Sequence, residues 1–280
     1  MTPDLHMHTT GSDGVLSPRE LVALAARSGV SIMAITDHDS LDGVDSLRGE
    51  PTDIPVLTGT ELSIRDMRYL HLLGYSQGDA AGMRTVLHRL AEQRLHRARA
   101  MVQKLNGMGI RIDYDELCAR CGGTVGRMHI ARELLRLGCI SHTQQAFDRY
   151  IGEDGPAYVE GERLSMAEAL SLMQRSGFVP VLAHPAELRV DDQALQTLLK
   201  VWKDQGLMGV EVYHPSQHGR GYARLDAMVR RMGFLVTGGS DFHAPSDGKH
   251  GNPGCTAAYW PRAEADVEAL QKALGHMENR

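Results

Sequence analysis

Four short clusters of histidine and carboxylate punctuate this chain, each where an apolar run stops. They are Asp4-Leu5-His6-Met7-His8 with Asp13 just behind, Thr36-Asp37-His38-Asp39, Ala183-His184-Pro185, and Gly239-Ser240-Asp241-Phe242-His243. Glu61 and His71 fall between the second and the third. Imidazole with carboxylate, and no thiolate, is the donor set of hydrolytic Zn, Mn or Fe centres. Donors delivered from the ends of many segments converge only if those segments lie side by side and open on one face, as in a barrel.

The periodicity agrees. Seven short apolar runs are legible, in Met1–Thr9, Ser31–Thr36, Pro55–Glu61, Tyr69–Tyr75, Phe178–Ala183, Met208–Tyr213 and Phe234–Thr237, most of them followed by a helical stretch. Ser17-Pro18-Arg19-Glu20 predicts a helix start: Ser17 caps, Pro18 suits the first turn and Glu20 completes a capping box. Leu21, Leu24 and Ala25 follow at helical spacing, and Gly29 ends the helix. Further helices are expected over Ser165–Ser176, Asp191–Gln205, Gly221–Met232 and Glu264–Leu274. Between about Asp79 and Leu164 the rhythm lapses into a long basic helix, Met83–Asn106, and shorter ones over Tyr114–Arg120, Arg127–Leu137 and Thr143–Ile151. The expected fold is α/β, a barrel of parallel strands from residues 1–78 and 165–280 carrying a mostly helical insertion, 79–164.

With 280 residues, 42% hydrophobic and 23% charged, the chain is an ordinary globular one, one large domain or such a domain with an insertion. The net charge of −5 argues against a nucleic-acid coat protein, yet allows an anionic substrate, because bound cations reverse the local field. No basic or apolar leader precedes the first motif, and no apolar run approaches membrane-spanning length, so the cytoplasm is the expected location and no membrane partner is expected. Cys118-Ala119-Arg120-Cys121 with Cys139 and His142 has the spacing of a structural zinc site. Cys139, however, lies in an apolar helical stretch, where cysteine is usually core filler.

Each cluster has its own chemistry. His6 and His8 are two apart on a strand and so share a face, as do Asp241 and His243. Glu61 ends an apolar strand, where an unpaired carboxylate is costly, and a carboxylate can bridge two cations. His38 is a ligand candidate, with Asp37 and Asp39 as acceptors that could orient it. Asp39 could equally cap the next helix. His71, between Leu70 and Leu72, is a ligand or a buried histidine bonded to backbone. For His184 the strand-end position is the argument. Ser12 and Asp13 lie in a tight loop, Gly11-Ser12-Asp13-Gly14, over the first strand end, Ser12 being a candidate substrate contact.

The combination Asp-x-His-x-His, Thr-Asp-His, a late His and Gly-Ser-Asp-x-His resembles the polymerase-and-histidinol-phosphatase (PHP) family, over nearly the whole chain. Gly126-Arg127-Met128-His129-Ile130-Ala131-Arg132 is similar to the Gly-Arg-Pro-His-Ile-Ala segment of its TrpH/YciV-like branch, with Met128 replacing the proline. The resemblance implies a distorted (β/α)7 barrel and three divalent metal ions, manganese on the family pattern, with zinc or iron as alternatives. The implied sites are His6, His8, Glu61 and Asp241; Glu61, His71 and His184; and Asp13, His38 and His243. The implied activity is hydrolysis of the 3′-phosphate of nucleoside 3′,5′-bisphosphates by a metal-bridging hydroxide. Alternatives in the class are 5′→3′ trimming of short RNA and another small-molecule phosphatase. Arg127, His129 and Arg132 are candidates for gripping the second phosphate, against a solvated helix face for Arg132. His214, at a strand end, is the candidate general acid. The expected partners are a phosphorylated nucleotide or short RNA, with no stable protein partner. An amidohydrolase cleaving carbon–nitrogen bonds would tend to need fewer metals and no phosphate-gripping arginines. The intact ligand set speaks against a non-enzymatic interaction module.

Overall fold

The computed structural model describes residues 1–78, 80–121, 125–217, 221–245 and 250–278. Asp79, the expected first residue of the insertion, lies outside them. Seven strands form one sheet in chain order: β1 Pro3–Asp4, β2 Ile32–Ile35, β3 Val56–Ser63, β4 His71–Ser76, β5 Val179–Leu182, β6 Gly209–Tyr213 and β7 Leu235–Gly238. After β7 the chain returns beside the segment that follows β1. Leu5 N donates to Gly238 O (3.1 Å), Asp241 N to His6 O (2.8 Å) and His8 N to Phe242 O (2.9 Å). These bonds nearly close the sheet, and the molecule is the expected α/β barrel, distorted and seven-stranded.

Strands β2 and β5 are buried at every residue, which is why they read as unbroken apolar runs. Helices follow most of the strands, and several pack against the sheet. The first, Pro18–Arg27, starts as its sequence dictates: Glu20 Oε2 accepts from Ser17 N (2.8 Å), and Ser17 Oγ accepts from Glu20 N. The pair Ser165 and Glu168 repeats the device at Met166–Arg175. The last helix, Ala263–Glu278, packs against β1, β4, β5 and β7.

One strand departs from the parallel pattern. β4 runs antiparallel to both β3 and β5, pairing Ser63 with His71 and Tyr75 with Val179. Only residues 64–70 join β3 to β4, a connection that suits a hairpin and is too short for a parallel crossover. The reversal has a consequence for chemistry. It places the start of β4, where His71 stands, at the barrel end reached by the finishing residues of the parallel strands.

The chain divides into two compact units, Met1–Val86 with Arg163–Arg280, and Leu87–Glu162. The second has its own core, including Met101, Leu105, Leu117, Ile130 and Leu134. Half-buried Cys118, Cys121 and Cys139 pack against that core, as an apolar filler does. The expected helix over Thr143–Ile151 is a short α-turn, Gln144–Ala146, that continues as a π-helix, Phe147–Ile151. No described helix is long and apolar enough to cross a membrane.

Closure of the sheet depends on Gly239. A Cβ there would meet His6 Cβ at 2.4 Å and His6 N at 2.5 Å, and backbone cannot give way as a side chain can. Gly239→Ala is expected to cost about 1–3 kcal/mol through overpacking, read as a lowered Tm. An unchanged Tm would show that this seam does not hold the barrel.

Candidate metal centre

Alternation along the first strand sorts its residues. Leu5 and Met7 are fully buried in the core, while His6 and His8 face the opposite side and meet donors from other segments. His6 Nε2 and His8 Nε2 are 3.1 Å apart. Each is 3.3 Å from Glu61 Oε2, and they are 3.2 and 3.1 Å from Asp241 Oδ1. Neither of these two buried carboxylate oxygens accepts a hydrogen bond. Short distances without hydrogen-bond alignment mean that the lone pairs aim at a shared point. Donors about 2.1 Å from one cation stand ~3.4 Å apart at tetrahedral corners, so the spacing fits a divalent ion.

The other oxygen of Glu61 opens a second group. Oε1 is 2.9 Å from His71 Nδ1 and 2.9 Å from His184 Nε2, and those nitrogens are 3.3 Å apart. A third group gathers His8, Asp13, His38 and His243, with Asp13 Oδ1 3.2 Å from His243 Nε2. His38 belongs to two neighbourhoods, since its Nδ1 also lies 3.1 Å from Glu61 Oε2. All nine expected metal donors therefore meet at one end of the barrel. His71, His38 and Asp13 retain side-chain exposures of 24%, 18% and 17%, whereas His6, His8 and Glu61 have 0–1%. The approach to the centre is on the side of His71, His38 and Asp13.

Burial pushes each carboxyl up, but the surrounding imidazoles outweigh it and hold Asp13, Glu61 and Asp241 well below the usual carboxylate range. Burial likewise disfavours charge on the rings. Glu211, Asp241 and Glu61 nevertheless carry His6 well above its ordinary value, and Asp241 and Glu61 carry His8 up to about 10. At His38 burial prevails, with His8 and His71 adding to it against Glu61 and Asp13, and its pKa falls well below normal. Backbone strain collects here too. Asp39, His184 and Asp241 have φ of 46°, 24° and 54°, in the left-handed region that non-glycine residues rarely adopt.

Comparison with known proteins decides the family. The PHP domain family matches residues 4–156. A 5′-3′ exoribonuclease of Haemophilus influenzae is 33% identical over 248 residues, covering 86% of this chain and 90% of that one. This chain belongs to the PHP family. A 3′,5′-nucleoside bisphosphate phosphatase of Chromobacterium violaceum is 30% identical over 251 residues, covering 88% of each chain. An amidohydrolase from Chromobacterium violaceum, solved with sulfate and without metal, is similar with a TM-score of 0.81 at 28% identity, covering 98% of this chain and 97% of that one.

In this PHP barrel some expected roles move. Asp37 spends its oxygens on the loop over the first strand end, not on the His38 ring: it accepts from Thr9 N (2.8 Å), Thr9 Oγ1 (2.6 Å) and Ser12 Oγ (2.6 Å). Ser12 is correspondingly buried with its hydroxyl proton committed to Asp37, so it braces the loop that carries Asp13. Asp39 accepts from Ser63 N (2.8 Å), tying the His38 turn to β3. His214 Nε2 lies 3.3 Å from Asp241 Oδ2. In the second unit, Arg127 lies over the Phe147 ring, Arg132 is half-buried, and buried His129 accepts from Gly126 N at Nδ1 (3.0 Å). Two residues of the centre escape the motif reading. Glu211 is fully buried and 3.0 Å from His6 Nδ1, and His250 stacks on His243 with Nε2 3.5 Å from Asp241 Oδ2. A glutamate inside the apolar run Gly209-Val210-Glu211-Val212-Tyr213 is the signal for the first. No spacing marks the second.

Ion binding in this centre needs neutral imidazole, while without ions His6 and His8 hold protons at neutral pH. Uptake of a divalent metal ion at pH 7 is therefore expected to release protons and to tighten as pH rises toward about 10, where His8 loses its own proton. Calorimetry at pH 7 in buffers of differing ionisation enthalpy measures the release. A heat independent of the buffer would contradict it.

Proposed function

We propose that this metal-dependent phosphoesterase removes the 3′-phosphate of nucleoside 3′,5′-bisphosphates, leaving nucleoside 5′-monophosphate and phosphate in the cytoplasm. The observation that carries the reading is Glu61, whose two oxygens face two adjacent donor groups. The donor set fits three ions, taken as Mn²⁺: one at His6, His8, Glu61 and Asp241, one at Glu61, His71 and His184, and one at Asp13, His38 and His243. Paired cations in such a site supply charge against the developing phosphoryl oxygens and acidify water.

The side chains do the rest. His71, His38 and Asp13 line the more open side, by which a phosphoryl group enters. His214 Nδ1 accepts from Ser216 N (3.1 Å), which leaves the ring proton on Nε2, as a donor to the leaving 3′-oxygen requires. Arg127 and Arg132, in the other compact unit, are phosphate-binding candidates by the chemistry of the guanidinium group alone. The phosphatase relative from Chromobacterium violaceum supports the substrate, and the sulfate in the similar amidohydrolase structure is a tetrahedral dianion of phosphate's shape.

A second reading, 5′→3′ removal of nucleotides from short RNA, is favoured by the Haemophilus influenzae relative. Phosphate release from adenosine 3′,5′-bisphosphate beside nucleotide release from a 5′-phosphorylated oligoribonucleotide separates the two. The phosphatase reading expects the bisphosphate to be turned over faster, and a preference for the oligonucleotide would replace it with the nuclease reading. His214→Asn is expected to slow the bisphosphate reaction by about 10²–10⁴-fold and to spare an aryl phosphate, whose leaving group needs no proton. Equal losses on both substrates would remove His214 from the acid role.

A further inference from the structure

Glu211 is a buried charged group at the centre that the reading above leaves unused. It stands on β6, fully buried, with its two oxygens committed to two different parts of the barrel. Oε1 lies 3.0 Å from His6 Nδ1, in the segment after β1. Oε2 accepts the backbone N–H of His184, just past β5, at 2.8 Å. The opposite nitrogen of the His6 ring, Nε2, faces Glu61 and Asp241, and Nε2 of His184 faces the other oxygen of Glu61.

Each bond has a definite effect. A ring N–H donated from Nδ1 to a carboxylate fixes the tautomer that leaves Nε2 with its lone pair turned inward. The His184 peptide lies at φ 24°, and a bond from its N–H to a buried carboxylate holds that conformation where few others would. We infer that Glu211 is a positioning residue for two adjacent ion sites at once, setting the ring of His6 for one and the strained turn of His184 for the other. It has no such bond to the group of Asp13, His38 and His243 among the hydrogen bonds described. The inference rests on the metal reading of the centre and is independent of the substrate.

The test is a Mn²⁺ titration of the full chain against a competing chelator, with Asp13→Asn used to identify the step that belongs to the third group. Glu211→Gln keeps the shape but can accept only one of the two bonds. It is expected to weaken two of the three binding steps by about 10–100-fold, and to leave the third step and the far-ultraviolet circular dichroism unchanged. The electron paramagnetic resonance signal of exchange-coupled Mn²⁺ pairs should fade at concentrations that saturate the parent. Glu211→Asp, which keeps the charge and retracts it by one methylene, should recover part of the loss. Unchanged binding, equal weakening of all three steps, or variants that do not fold would each overturn the positioning role. A parent chain that binds no Mn²⁺ would instead sink the metal reading itself. A parent that binds Mn²⁺ but cleaves no nucleotide would leave the positioning role standing.

Discussion

A carboxylate with almost no access to water sits in the second half of β3 and must be neutralised from within the protein. Glu61 is 1% exposed, and five imidazoles, His6, His8, His38, His71 and His184, lie within 3.3 Å of its oxygens. An isolated charge so buried would cost more than a fold of marginal stability can bear. Much of the barrel can be read as the means of bringing those rings together. His6 and His8 come from the first strand's continuation, His38 from the end of β2, His71 from the inverted β4 and His184 from the end of β5. The strained φ values at Asp39, His184 and Asp241 occur where strands must stop and turn their side chains inward. Without ions the same crowding traps protons on His6 and His8. A divalent cation bound there would displace those protons, which would link occupancy to fold stability.

The legible part of this architecture was the part written locally. Ser17, Pro18 and Glu20 signal a helix start because capping is settled within four residues, and the structure has that capping box. The apolar runs became strands because parallel strands buried on both faces leave no room for polar alternation. The His-x-His and Asp-x-His pairs were readable because a strand presents every second residue to one face. What stayed hidden was decided by topology. Nothing local to β4 says that it runs backwards; the short link 64–70 does, once the pairing is known. Asp37 looked like an orienter of its neighbour His38, but its carboxylate points to the loop at Thr9 and Ser12, far away in sequence. His250 reaches the centre from beyond the last motif, at no characteristic spacing.

The two units differ in how much a sequence can say of them. In the barrel the histidines and carboxylates of the separate motifs lie against one another, so each motif supports the others. Leu87–Glu162 has an apolar core of its own, with its cysteines half-buried against it. Arg127 and Arg132 sit on a helix, where a guanidinium serves equally as a solvated face or as an anion grip. Spacing cannot separate those uses at Arg127 and Arg132.

Asp241 stands between the inner histidines and two outer ones. Its Oδ1 faces His6 and His8, while its Oδ2 lies 3.3 Å from His214 and 3.5 Å from His250. A change at this one carboxylate would disturb both sets of rings at once, so the inner donors and His214 cannot be varied independently through Asp241. Glu61 has no such outward link, since imidazoles surround both of its oxygens. The two carboxylates therefore divide the contacts between them: Glu61 faces the donors of two neighbouring groups, and Asp241 faces one of those groups together with His214 and His250.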